Sequence, residues 1–195
     1  MIKRCKWADF NDAMRKYHDE EWGTPVHDDQ ILFEFLVLEG AQAGLSWNTI
    51  LNKRENFRKA FDDFDYEKIA KYNFEKIEKL LNNPGIIRNK LKINSVISNA
   101  IAFLEIQEEF GTFDKYIWDF VDHIPLDNKF KTLEDLPAKT KTSELISKDL
   151  KKRGFKFVGP TIIYSFMQAV GIVNDHTSDC FRYNEIKKLV SSEKL

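Results

Sequence analysis

The stretch Lys151–Cys180 (KKRGFKFVGPTIIYSFMQAVGIVNDHTSDC) constrains this chain more than any other. Gly154 can take the positive φ that ends a helix. Gly159 suits the next N-cap, and Pro160 the first helical position, where no N–H is needed. Ile162, Ile163, Phe166, Met167 and Val170 then recur at helical spacing, so the second helix has one buried face. A hairpin of this kind turns free backbone N–H groups toward one spot beside a helix N-terminus, which is an anion site. Between 139 and 156 lie seven basic residues against two acids, which makes phosphate the expected anion. The stretch ends in His176-x-x-x-Cys180, two metal-ligand types one helical turn apart.

Composition sets the surroundings of that stretch. A chain of 195 residues with 43% hydrophobic content supports one domain, 1–195, in which two closely packed lobes are expected. No apolar run is long enough to span a bilayer, and the N-terminus lacks a signal-like apolar segment, so a soluble cytoplasmic protein is expected. A net charge of −1 excludes a broadly basic nucleic-acid coat but not a local basic patch. Helical periodicity dominates throughout, and the fold class read from it is all-α.

Asn11–Glu20 reads as a short helix inside a segment that also holds Cys5, Trp7, Tyr17, His18 and Trp22. The aromatics there suit either a surface for flat partners or the packing of a terminus onto the core. Asp28 caps a predicted helix over 29–43. At 100° per residue, Ile31, Leu32, Phe35, Leu36 and Leu38 form one apolar arc, with Glu39 in its middle and Glu34 on the outer side. A carboxylate within that arc is either a structural acid capping a nearby helix end or a group that faces a ligand. Small residues at 40–44 lead to Ser46, the cap of a helix expected through about Ala60. Trp47 opens that helix, either packed in the core or with one ring face free. Further helices are expected at 74–81, at 88–109 with Leu91, Val96, Ile97, Ile101 and Leu104 inward, at 113–121 and at 142–152. Residues 122–141 are loop-like, and a polar, frayed tail is expected after Cys180.

Each of the two cysteines has a histidine partner: Cys5 with His18, and Cys180 with His176. A Cys2His2 set suits one tetrahedral Zn²⁺ whose shell is filled by protein, hence a structural ion clamping the N-terminal segment to the C-terminal one. The alternative is two buried free cysteines and two incidental histidines.

With these residues in hand, the chain resembles the 3-methyladenine DNA glycosylase I family of bacterial base-excision repair enzymes, which have a helix-hairpin-helix fold. The matching stretches are RCKW at 4–7, YHDEEWG at 17–23, LEGAQAGLSWNTILNKRE at 38–55, GIIRNKLKI at 85–93, KKRGFKFVGPTIIYSFMQA at 151–169 and GIVNDH at 171–176. The resemblance implies a zinc site at Cys5, His18, His176 and Cys180. It implies a base pocket with Glu39 reading the base, Trp47 and Tyr17 stacking on it, and Trp7 and Trp22 lining the cavity. It implies a DNA-phosphate hairpin over 151–161, including Lys151, Lys152, Arg153, Gly154, Gly159 and Thr161. The expected activity is extrusion and hydrolytic release of 3-methyladenine from double-stranded alkylated DNA by a monomer, with the free base as product. Met14 stands where the family often carries Tyr, which makes that pocket edge less polar. Related helix-hairpin-helix glycosylases place an acid near Asp175, but the family resembled lacks it, and Asp175 is not assigned as the base. Two rival readings are a catalytic zinc hydrolase and a non-enzymatic DNA-binding module.

Overall fold

The computed structural model describes residues 2–192. Among them are eleven α-helices, short 3₁₀ turns and one two-residue parallel strand pair. The all-α reading holds apart from that pair, in which β1 (Leu126–Asp127) lies beside β2 (Val173–Asn174) and ties the loop-like region to the chain before the last helix.

Helix α2 (Asp29–Gln42) is the axis of the molecule. Asp28 caps it by accepting from the Ile31 N–H. Every residue from Leu32 to Ala41 is buried, so α2 is covered on all sides, by α3 (Trp47–Leu51), α7 (Lys90–Phe110), α8 (Phe113–Asp119) and α10 (Pro160–Ala169). That corrects two expectations from the helical wheel. Ile31 is 41% exposed, and Glu34 is only 6% exposed. Glu34 is neutralised from α4 (Arg54–Ala60), where Arg54 Nε donates to it at 2.6 Å and Arg58 Nε at 3.0 Å.

Four further corrections follow from local chemistry. The helix expected from Ser46 to Ala60 is two helices, α3 and α4, separated at Asn52–Lys53. Helix α7 starts at Lys90, where the Asn89 side chain accepts from two backbone N–H groups, so Arg88 lies outside it. Its buried face is Ile93, Val96, Ala100, Phe103 and Ile106, while Leu91 is 71% and Ile101 45% exposed. The tail expected to fray is helix α11 (Phe181–Ser192), with Tyr183 and Ile186 buried.

The ends of the chain meet. Phe181 N–H donates to the Lys3 carbonyl, Gly23 N–H to Gln168 and Val26 N–H to Val170. At Gly171 (φ +73°) a side chain would meet the Thr24–Pro25 backbone at 2.5 Å, so only glycine lets the two segments touch.

Candidate functional site

An aromatic cleft of about 280 Å³ opens at the C-terminal end of α2. Trp7 reaches it from a 3₁₀ turn, Met14 and Tyr17 from α1 (Asp12–Glu20), and Trp22 from the segment that follows. Trp47 comes from the start of α3, where Ser46 accepts from the Thr49 N–H and so fixes the ring's takeoff. The rings brace one another: Trp7 meets Trp22 edge-on at 5.0 Å, and Tyr17 lies 5.3 Å from Trp47 and 6.4 Å from Phe35. Sequence reading missed what holds this wall from behind. Arg54 lies 5.0 Å over the Phe35 ring, held between Glu34 and Glu21. A short-range pattern has no means of joining 21, 34 and 54.

Of the two places the sequence left open for Glu39, a helix cap or a pocket, it takes the second and lines this cleft. It is 4% exposed, and its Oε2 is buried without a hydrogen-bond partner. Burial pushes its carboxyl up to about 8, which favours the protonated form. The Trp47 indole N–H is likewise buried and unpaired. Two orphan polar atoms in one cleft are unusual, because buried polar groups are ordinarily paired, and Glu39 caps no helix end here. Burial, then the nearby Glu39, holds the Tyr17 phenol well above its ordinary range, so it stays a neutral ring. Glu39 also lines an adjoining opening, with Gln42, Gly44, Leu45, Thr161 and Ser165, that leads from the cleft toward the hairpin.

Behind Trp7 and Trp22, Cys5, His18, His176 and Cys180 converge, all buried, with their ligand atoms within 4.8 Å of one another. His176 Nδ1 is 3.6 Å from each sulfur, and His18 Nε2 is 3.4 Å from Cys180 Sγ. Ligands around a tetrahedral ion at zinc-like bond lengths stand roughly 3.3–3.8 Å apart, so the cluster can hold a metal ion. The outer ring nitrogens are occupied. His18 Nδ1 donates to Asp19 at 2.8 Å, and His176 Nε2 to the Trp22 carbonyl at 2.9 Å. That turns the acceptor nitrogens inward, His18 Nε2 also taking a 3.3 Å hydrogen bond from the Cys5 N–H. Four such ligands would fill a tetrahedral shell.

In the hairpin between α9 (Lys141–Lys152) and α10 the helix end and the new cap form as read, but the Gly154, Phe155 and Lys156 N–H groups are taken up within the protein and are not free. Gly154 has φ +95°, Gly159 is the N-cap and Pro160 the first helical residue. Asn99 of α7 clamps it, accepting from the Lys156 N–H at 2.8 Å and donating to the Lys156 carbonyl at 3.0 Å. Ser147 holds Val158 O at 2.6 Å. The tip residue Phe157, at φ +55°, rests on Gly40, next to Glu39. Lys151 and Lys152 are exposed and, among the described residues, carry no ion pair; Thr161 is exposed at the start of α10. Arg153 corrects the basic patch: it bridges Glu109 at 2.6 Å and Asp149 at 2.8 Å over the Phe110 and Tyr116 rings, so it belongs to the scaffold. Asp175 is 1% exposed and accepts from Asn128, Tyr164 and Gln168, which fits its exclusion as the base.

Comparison with known proteins places the chain in a family. A family model described as methyladenine glycosylase matches residues 7–183. The DNA-3-methyladenine glycosylase 1 of Escherichia coli is 48% identical over 93% of this chain and 97% of its own length. The DNA-3-methyladenine glycosylase of Haemophilus influenzae is 46% identical over 92% of this chain and 97% of its own. Among solved structures, a 3-methyladenine DNA glycosylase I superposes with a TM-score of 0.89 at 49% identity, covering 92% of this chain and 98% of that one. The Staphylococcus aureus 3-methyladenine DNA glycosylase I, solved to explain 3-methyladenine recognition, also gives 0.89, at 36% identity, covering 92% and 96%.

Proposed function

The chain belongs to the methyladenine glycosylase family and is a DNA glycosylase that excises 3-methyladenine; from that premise we propose how its own residues divide the work. Glu39 reads and stabilises the damaged base, Trp47 and Tyr17 stack on it, and Trp7, Trp22 and Met14 complete the cavity. Lys151, Lys152, Thr161 and the hairpin N–H groups of Phe157, Val158 and Gly159 hold the phosphates of duplex DNA, in the manner of a helix-hairpin-helix; the Gly154, Phe155 and Lys156 N–H groups donate within the protein and shape the turn instead. Arg153 braces that hairpin instead of touching DNA.

The single observation that carries this reading is the unpaired, buried carboxyl of Glu39 in a cleft walled by aromatic faces. N3-methylation makes the adenine of a nucleotide cationic. A cation entering this cleft meets a carboxyl that has no other partner, and its arrival favours the ionised form, so the Glu39 proton leaves as the base docks. Aromatic faces attract the same electron-poor ring. The glycosidic bond breaks with its electron pair passing to the base nitrogen, which neutralises the base. Water adds to the sugar carbon and gives up a proton to solvent. Because the leaving group is already activated, this step needs little general-base help, and Glu39 assists by electrostatics. With the positive charge gone, Glu39 loses its counter-ion and is reprotonated, which favours release of the free base.

The Cys5, His18, His176 and Cys180 set holds one Zn²⁺. Two thiolates and two imidazoles with occupied outer nitrogens support that identity, and a closed shell supports a structural task. Its part is to fix Trp7, Tyr17 and Trp22 against α10. A monomer acting in the cytoplasm completes the reading, and no helix among the described residues is long and apolar enough to cross a membrane.

The test is base release from methylated duplex DNA, with products identified by mass. Glu39→Gln keeps the shape and removes the charge; the expected result is a rate lowered on the order of 10- to 100-fold. A parent-like rate would remove Glu39 from the chemistry.

A further inference from the structure

Asp175 is a buried carboxylate that excision leaves without a task. Asn128 Nδ2 donates to its Oδ1 at 2.6 Å; Gln168 Nε2 at 2.8 Å and the Tyr164 hydroxyl at 2.5 Å donate to Oδ2. Three donors converge on it, so Asp175 acts as acceptor throughout, and the nitrogen end of the Gln168 amide is the end held against it. The oxygen end is therefore turned away from Asp175. Gln168 lines the aromatic cleft with Glu39 and Trp47. Among the described residues no donor reaches its Oε1, and that atom is not sealed off in the way Glu39 Oε2 is.

We propose that Gln168 is a specificity-determining residue whose side-chain oxygen, aimed by Asp175 as a positioning residue, accepts from the exocyclic amine of a 6-aminopurine and rejects purines with a carbonyl there. The inference rests on the base pocket proposed above. An amide free to turn over would offer a donor as readily as an acceptor and would select neither base. The buried carboxylate removes that freedom, since turning the amide would set two acceptors against each other. Glu39 serves the charge of the lesion; Gln168 serves the pattern of its edge. A methylated guanine would share the charge with 3-methyladenine and differ at that edge, so charge alone does not separate them. A site built to bond a substrate N–H discriminates strongly against the analogue that lacks it.

Three tryptophans line the cleft, so binding can be read by fluorescence with free 3-methyladenine and free 3-methylguanine as probes. Gln168→Met has similar length and no acceptor. It is expected to weaken 3-methyladenine about tenfold and leave 3-methylguanine unchanged or tighter, with a Tm lowered by a few degrees because Asp175 loses one of its donors. Gln168→Asn keeps an acceptor on a shorter stem and is expected to fall between. A folded Asp175→Asn protein is expected to narrow the preference in the same direction, and an unchanged preference would remove Asp175 from the account. Equal weakening of both bases in Gln168→Met, or no change in either, would overturn the proposal. Trp47→Ala, measured alongside, separates the two levels. If it binds 3-methyladenine as tightly as the parent, the pocket assignment fails and this inference with it. If it weakens binding while Gln168→Met keeps the parent's preference, only this inference fails.

Discussion

Keeping a carboxyl group at Glu39 away from every protein donor costs stability, and the cost depends on pH. Its folded value of about 8 lies above the ordinary glutamate value of 4.5, so the folded state binds the extra proton. The favourable contribution is whole below about pH 4.5 and is lost as pH rises toward 8. Glu39→Gln does not titrate. Its Tm relative to the parent should therefore climb between pH 5 and pH 9, by several degrees, and thermal melts across that range check it. A difference flat in pH would mean that the charge is compensated in the fold. The residue was legible from its own helix, because a carboxylate inside an apolar arc is visible on a wheel. Glu34 was not, since what makes its burial tolerable is Arg54 and Arg58, which arrive from a different helix.

At the scale of elements, what could be read was what local backbone chemistry decides. Gly154, Gly159 and Pro160 specify the hairpin without reference to the rest of the chain, and its helix end and new cap formed as read. The inward face of α7 was missed at Leu91 and Ile101, because a wheel finds hydrophobic residues and not the neighbours that cover them. Arg153 shows the same limit: as a symbol it joins the basic run, but in space two carboxylates and two rings already hold it. The two kinds of cation should therefore separate by experiment. Lys151→Glu with Lys152→Glu should weaken DNA binding and reduce the slope of log K against log salt by about 2, with little change in Tm. Arg153→Gln should lower Tm by a few degrees and leave the slope near the parent's; its ion pairs are part-exposed, so the loss stays modest. Salt titrations of duplex binding decide it, and a slope that moves only with Arg153 would reverse the assignment.

The whole molecule is closed by contacts between its two ends, and the cluster of Cys5, His18, His176 and Cys180 is one of them. The pairing of two cysteines with two histidines was readable because few other ligands compete. The helix that continues from Cys180 was not, because its isolated pattern is polar. It is ordered by Tyr183 and Ile186 packing inward and by Phe181 N–H reaching back to Lys3. An ion binding the folded cluster more tightly than the unfolded ligands adds stability that a chelator can withdraw. Removal of zinc by a strong chelator should lower Tm on the order of 10 °C, and restoring Zn²⁺ should recover it. Because Trp7 and Trp22 pack beside His18 and His176, at 5.2 Å and 4.7 Å, the base pocket should loosen with the same transition. Hydrogen exchange should then rise first in residues 3–10 and 176–186, ahead of α2 and α7, and 3-methyladenine affinity should fall in step with it. A metal-free protein that keeps its Tm and its exchange pattern but stops releasing base would instead place the ion in the chemistry, against a shell that its four protein ligands already fill.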